Sequence, residues 1–173
     1  ANSFDAGAIL EENMKVKCSI VSGVVYVPVV RLEPGHIKQK LDFYNMVLGM
    51  RKGDPVREEL YQIKADFEET GANVYIKPNP VKNALRKFFR VSGLSAVSCY
   101  YNATIGEVRS TKEGVQLFKE LTQELVDIAE AMGDPFTMDD ADPFPGMLPC
   151  EESLNCFMTI FPEYQTSMKY DWD

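Results

Sequence analysis

Lys87, Val91, Ser95 and Ser98 stand at i, i+4, i+8 and i+11 in the middle of the chain. On an α-helix that spacing is one face. A lysine at the head of a face that continues with small hydroxyls could point into a cleft. The same lysine has Lys82, Arg86 and Arg90 close by in sequence, and a stretch with that much positive charge reads first as a solvated surface. Residue types and spacing leave both readings open.

Other known motifs are missing. The chain has no G-x-G-x-x-G, G-x-x-x-x-G-K, H-E-x-x-H or G-x-S-x-G. The cysteines Cys18, Cys99, Cys150 and Cys156 form no C-x-x-C pair, and His36 is the single histidine. No metal site is expected from such a set, and no disulfide framework in a chain this long. Four reduced thiols suit a cytoplasmic protein. Over 173 residues, 45% hydrophobic and 25% charged with a net charge of -8, the composition is that of a globular protein. With no long basic run, neither nucleic acid nor an anionic membrane is an expected partner. No apolar stretch reaches the roughly 20 residues of a membrane helix. The opening ANSFDAGAIL lacks the basic start of a signal peptide.

The elements that must position Lys87 can be read from pattern. Cys18 to Val30 is a β-branched run expected to form a buried strand, with Pro28 marking an edge or an end. Glu33-Pro34-Gly35 signals a turn, and His36 to Leu41 is a second, more polar strand, so the two could pair antiparallel. Asp54 and Pro55 have the chemistry of a helix start. Leu60, Ile63 and Phe67 would be that helix's apolar stripe, Gly71 its stop, and Val74 to Ile76 a short strand. Pro78-Asn79-Pro80 is the expected domain boundary. Beyond it lies a long helix from about Val81 to Tyr101, whose small residues Ser92 to Ala96 permit close approach of another helix or a ligand. Ser110 and Glu113 have capping-box spacing for a helix carrying Phe118, Leu121, Leu125, Ile128 and Met132 as core and ending at Gly133. A proline-rich loop, Asp134 to Pro149, leads to a helix from Asn155 that is interrupted at Pro162. His36 reads as a strand-surface residue, Glu124 as a helix-packing or hydrogen-bonding residue rather than an acid catalyst, and Trp172 as part of a frayed or truncated helix.

Several of these pieces, in order, resemble the ketopantoate reductase (2-dehydropantoate 2-reductase) family. Ser22-Gly23-Val24-Val25-Tyr26 with Pro34-Gly35-His36-Ile37 is similar to its "GV-x-Y … PG-x-I" hairpin. Lys87 falls where the family has the lysine of its W-x-K-[LF] helix start, and Gly106-Glu107 where it has a "GE" turn. Glu124, Ala129 and Gly133 match "E-x-x-x-[VI]-A-x-x-x-G". Ser167-Met168, with Asp171, resembles "S-S-M-x-x-D", and Asn2-Ser3 resembles the "Q-N-G" that ends a cofactor-domain strand. The resemblance implies an NADPH-dependent oxidoreductase that reduces a 2-keto acid, most simply 2-dehydropantoate to pantoate in coenzyme A biosynthesis. It implies Lys87 as proton donor to the keto oxygen, Ser167 with Ser95 and Val91 at the substrate, and Asn2 at the nicotinamide. A homodimer is a possible assembly.

The sequence departs from that pattern at Leu85, Val91, Ser95, Ile105 and Tyr164, where the family has tryptophan or asparagine. Fewer amides mean fewer hydrogen bonds to a hydroxylated substrate, so another small 2-keto acid is the alternative substrate. A non-catalytic helical dimerisation or binding module is the alternative of another class. The expected fold is an α+β fragment. Residues 1–78 would be the end of a Rossmann-type sheet (antiparallel hairpin, helix, strand), and residues 79–173 a truncated all-helical domain. The fragment alone would be inactive, with the Gly-rich phosphate loop expected upstream. Lys87, Ser95 and Ser167 are expected to line one cleft.

Overall fold

The computed structural model describes residues 6–51, 54–133, 135–137, 143 and 147–172. They fall into two compact units, Ala1–Leu85 and Arg86–Asp173. The fold is mixed α+β, a short sheet followed by a helical region.

In the first unit, helix α1 (Ala6–Asn13) precedes β1 (Val21–Tyr26), β2 (Val29–Glu33), β3 (His36–Gln39), β4 (Asn45–Met50), α2 (Glu58–Glu68) and β5 (Asn73–Ile76). The three-stranded sheet has the order β1-β4-β5. β1 is antiparallel to β4, with Val24 opposite Val47, and β4 is parallel to β5 across the α2 crossover. Met46, Leu48 and Met50 of β4, Leu60 of α2, and Ala72 and Val74 form the core.

The expected single strand from Cys18 to Val30 is two strands. Pro28 has no N–H to give to a ladder, and the chain turns there. The second piece, β2, forms a separate two-stranded ribbon with β3. Its turn carries Gly35 at φ +80, a left-handed conformation that suits glycine. The true partner of β1 is β4, a strand that pattern reading passed over because NMVLGM is a short apolar run without alternation, and such runs do not separate strand from helix.

Helix α2 starts at Glu58, later than Asp54-Pro55 suggests. Arg57 is extended and serves as N-cap, its guanidinium tied to Ser19 Oγ at 2.6 Å and to Glu59. Glu58 and Glu59 then place two carboxylates at the positive end of the helix. Of the expected stripe only Leu60 is buried; Ile63 and Phe67 are exposed. Gly71, at φ +88, follows the helix as expected.

The second unit is helical among the described residues. It holds α3 (Pro80–Tyr101) from Arg86 onward, then α4 (Ile105–Arg109), α5 (Lys112–Ala131), α6 (Pro149–Thr159) and α7 (Ser167–Trp172). Leu94, Val97, Ile105, Val108, Phe118 and Phe157 make its core. The rings of Phe118 and Phe157 stack at 4.2 Å and 7°. The small stretch of α3 serves helix packing: a Cβ on Gly93 would lie 3.1 Å from the Phe118 ring.

The capping box falls at Thr104 and Glu107. The Thr104 N–H donates to Glu107 Oε2 at 2.8 Å, and the Glu107 N–H donates to Thr104 Oγ1 at 3.3 Å. The Thr104 N–H and, second, the Thr104 hydroxyl, both donating to Glu107 Oε2, hold the Glu107 carboxyl below its ordinary range. The box expected at Ser110 and Glu113 does not form, because Ser110 ends α4 and its hydroxyl donates to the Glu107 carbonyl. Thr111 caps α5 instead, accepting from the Gly114 N–H. Helix α5 ends at Gly133 as expected, but Ile128 and Met132 are exposed rather than core. Helix α6 begins at Pro149, six positions before Asn155, because proline suits the first turn and Glu151 and Glu152 follow it there. It ends before Pro162, where Arg109 Nη1 donates to the Phe157 and Ile160 carbonyls.

The Gly106-Glu107 pair thus has a structural explanation. Glu107 closes the cap, and the Gly106 N–H donates to the Pro162 carbonyl at 2.9 Å. A Cβ at Gly106 would lie 2.6 Å from that oxygen. Gly106→Ala is therefore expected to destabilise the helical unit by about 1–3 kcal/mol, the usual range for overpacking against backbone that cannot yield. Urea unfolding of the chain would measure it, and an unchanged midpoint would contradict this account.

Candidate active site

Helix α3 runs unbroken through Lys87, Val91, Ser95 and Ser98, so the four residues keep the common face that their spacing gives. Burial deepens along that face. Lys87 and Val91 are half-buried, while Ser95 and Ser98 are 1% and 0% exposed. The Lys87 amine is pushed below its ordinary value, first by burial and second by the charge of Arg90. The Ser95 hydroxyl has no hydrogen-bond partner among the described residues. Ser98 is structural, its Oγ donating to the Ala103 carbonyl at 2.7 Å.

Ser167 is exposed at the start of α7, where Thr166 accepts from the Lys169 N–H. Asn2 lies outside the described residues. His36 sits on the ribbon surface, 3.5 Å from Glu33, as expected of a strand-surface residue. Glu124 is exposed on α5. Among the described residues no group of three or more His, Cys, Asp or Glu side chains could hold a metal ion, and no helix is long and apolar enough to cross a membrane.

Sequence reasoning missed a charged cluster on the neighbouring face of α3. Arg86 is 1% exposed and far from solvated. Its Nε donates to Glu152 Oε2 at 2.5 Å, and Arg90 Nη1 donates to Glu152 Oε1 at 3.1 Å. A signal for it existed. Arg86, Phe89, Gly93 and Val97 sit at i, i+3, i+7 and i+11, the spacing of a buried stripe, and all four are buried. An arginine in such a stripe requires a buried carboxylate.

Residues 81–173 match the family model described as "Ketopantoate reductase PanE/ApbA C terminal". The fold is similar to a 2-dehydropantoate 2-reductase from Methylococcus capsulatus, at 24% identity and a TM-score of 0.69, covering 97% of this chain and 48% of that one. It is similar to a dimeric ketopantoate reductase from Staphylococcus aureus (16% identity, TM-score 0.70, 92% and 50% covered). It is also similar to a D-mandelate dehydrogenase solved with NADH (18%, 0.73, 95% and 52%). The chain spans about half the length of these proteins. No curated protein sequence matches it. With its helical unit matched by the family model, and a lysine-headed helix in the matched segment, the chain belongs to the ketopantoate reductase family.

Proposed function

We propose that this chain carries the substrate-side half of a reductase that converts a small 2-keto acid to the 2-hydroxy acid, using NADPH, with Lys87 as proton donor. The observation that carries the reading is the half-buried Lys87 amine on α3, inside the family-matched segment, with its proton affinity lowered by burial and by Arg90. The keto oxygen gains negative charge as its carbon accepts hydride, and an ammonium beside it supplies charge and proton together. Val91, one turn on, offers an apolar contact, and the unsatisfied Ser95 hydroxyl lies below it on the same face. Ser167 is the proposed second contact to the substrate.

Reduced nicotinamide would supply the hydride. The residues of this chain include no G-x-G-x-x-G cradle for its pyrophosphate, so they do not fit the dinucleotide by themselves. Their own task in the proposed reaction is to orient the keto acid and move the proton. Asn2 is proposed to stand near the nicotinamide. We also infer a cytoplasmic setting, supported by four free cysteines, and a homodimer, supported by the dimeric Staphylococcus aureus relative.

2-Dehydropantoate is the first substrate proposed, and a 2-keto acid with an apolar side chain is the second. The second is favoured by Val91 standing where the family has asparagine, and by the similarity to D-mandelate dehydrogenase. The test is oxidation of NADPH and of NADH by the complete reductase over a panel of 2-keto acids. In the same assay, Val91→Asn should raise kcat/KM for 2-dehydropantoate relative to unbranched 2-keto acids by about tenfold, the worth of one neutral hydrogen bond. Inertness toward the whole panel would instead favour a non-catalytic helical module.

A further inference from the structure

The register of β1 against β4 sets Val21 opposite Met50. The run that leads into β1 and the run that leaves β4 therefore emerge together at one end of the sheet. Between them, within the first unit, lies an open cleft of about 370 Å³, inside the roughly 300–1,000 Å³ range of small-molecule sites. Lys17 and Ser19 line it from the first run, Arg51 and Arg57 from the second, and Glu11 from α1. All of them precede the family-matched residues 81–173, and the proposed reduction uses none of them. The donors here are unevenly spent. Arg57 gives Nε and Nη2 to Glu59, at 3.3 and 2.9 Å, and Nη1 to Ser19 Oγ at 2.6 Å. Having accepted that bond, the Ser19 hydroxyl keeps its own proton to donate. Glu11 takes Nη1 of Arg51, and the rest of that guanidinium has no partner among the described residues. Lys17 is exposed and makes no hydrogen bond or ion pair among the described residues.

We propose that this cleft binds a small molecule by its phosphate group, with Lys17 supplying charge, Arg51 a guanidinium edge, and Ser19 a hydroxyl that Arg57 orients. Each arginine already has a carboxylate, so the pull on an anion comes first from Lys17, whose ammonium has none. Donors reaching the cleft from separate segments suit a phosphate, which presents several oxygens, better than a carboxylate, which presents two. Ammonium binds phosphate as a point charge and guanidinium as a fork, and both kinds of donor line the cleft. Its size leaves room for the rest of a small molecule, and Asp54, also in the lining, is an acceptor for a hydroxyl there. Glu11 competes with the ligand for Arg51. An exposed pair of that kind adds little to stability, so Arg51 is free to exchange it for a phosphate. The site belongs to the first unit alone and stands whether or not Lys87 is the proton donor.

The test is a ¹H–¹⁵N titration of the full 173-residue chain with inorganic phosphate, glycerol 3-phosphate and acetate in a phosphate-free buffer. Both phosphates should give saturable shifts centred on the amides of Ser19 and Arg57, and acetate should bind far more weakly. Lys17→Gln and Arg51→Gln should each weaken phosphate binding by roughly tenfold, the worth of one charge-assisted hydrogen bond. Glu11→Gln should strengthen it, because the competing carboxylate is gone. Lys15→Gln removes the same charge from outside the lining and should change little. Lys17 is exposed, so its replacement leaves the fold intact, and the spectrum itself reports folding in every variant. Tighter binding of glycerol 3-phosphate than of phosphate would assign the site to a phosphomonoester, and equal binding to free phosphate; either upholds the proposal. An unsaturating response overturns it, as does acetate binding as tightly as phosphate. So does an affinity that Lys17→Gln leaves unchanged, or that Lys15→Gln lowers equally, because the site is then only diffuse charge.

Discussion

Replacing Lys87 with alanine in the complete reductase is expected to lower kcat by about 10²–10⁴-fold, the usual cost of losing a positioned general acid, while affinity for the dinucleotide stays nearly unchanged. The asymmetry follows from where each interaction is made. In the proposed reaction the amine acts on the keto oxygen as charge develops there, an interaction that would be strongest in the transition state. Dinucleotide affinity comes mainly from backbone amides around the pyrophosphate, and this chain supplies no such loop. Lys87→Arg should rescue poorly, because guanidinium keeps the charge but does not yield its proton near neutral pH. The sign of the pH dependence follows as well. The ammonium must be present to donate, so reduction should fall as pH rises through the Lys87 pKa, and that fall should come below the ordinary lysine range because burial and Arg90 lower it. Steady-state oxidation of the reduced dinucleotide, followed by absorbance against pH, checks all three expectations. Undiminished kcat in Lys87→Ala would exclude the general-acid role.

Removing the carboxylate of Glu152 is expected to be the most damaging single change to stability. Arg86 is 1% exposed and Glu152 5%, so both charges sit where water cannot compensate them. Deleting one partner of a buried pair typically costs about 3–5 kcal/mol, and here Glu152→Ala takes the carboxylate away from the buried Arg86 guanidinium. Glu152→Gln should cost less, since the amide oxygen still accepts from one arginine. The paired change Arg86→Met with Glu152→Leu should recover most of the loss, because replacing a whole buried pair by apolar groups is often neutral. Urea unfolding of the chain, read by a probe in the helical unit, would order the variants. If Glu152→Ala proved as stable as the unmodified chain, the cluster would have to be solvated in solution.

Much of the scaffold was legible in sequence, and the reasons are local. Helix α3 could be read from Val81 to Tyr101 because its periodic apolar residues run without interruption, and it forms from Pro80 to Tyr101. Helix α5 ends at Gly133, at φ +73, because a left-handed stop suits glycine. The mixed α+β order and the family followed from motif order, and the family model for residues 81–173 agrees. The boundaries that failed did so where two local signals competed. Pro55 offered a helix start, but Arg57, drawn out to Ser19, delays α2 to Glu58. Ser110 and Glu113 had the right spacing, but Thr104 and Glu107 closed their own box first, and Ser110 became the end of α4.

By itself the sequence determined the face that carries Lys87, Val91, Ser95 and Ser98, since helical geometry fixes which positions line up once a helix is granted. It also determined the chemistry available there: an amine, two hydroxyls and an apolar turn. Tertiary structure decided how deep each of these lies, which is what separates the half-buried Lys87 and Val91 from the core residue Ser98. It alone paired β1 with β4 rather than with its neighbour in the chain. It alone brought Glu152 onto Arg86 and Arg90, 66 and 62 positions earlier in the chain. The physical reason is that helical faces and caps depend on residues a few positions apart, whereas burial, ion pairing and proton affinity depend on segments that become neighbours only when the chain folds.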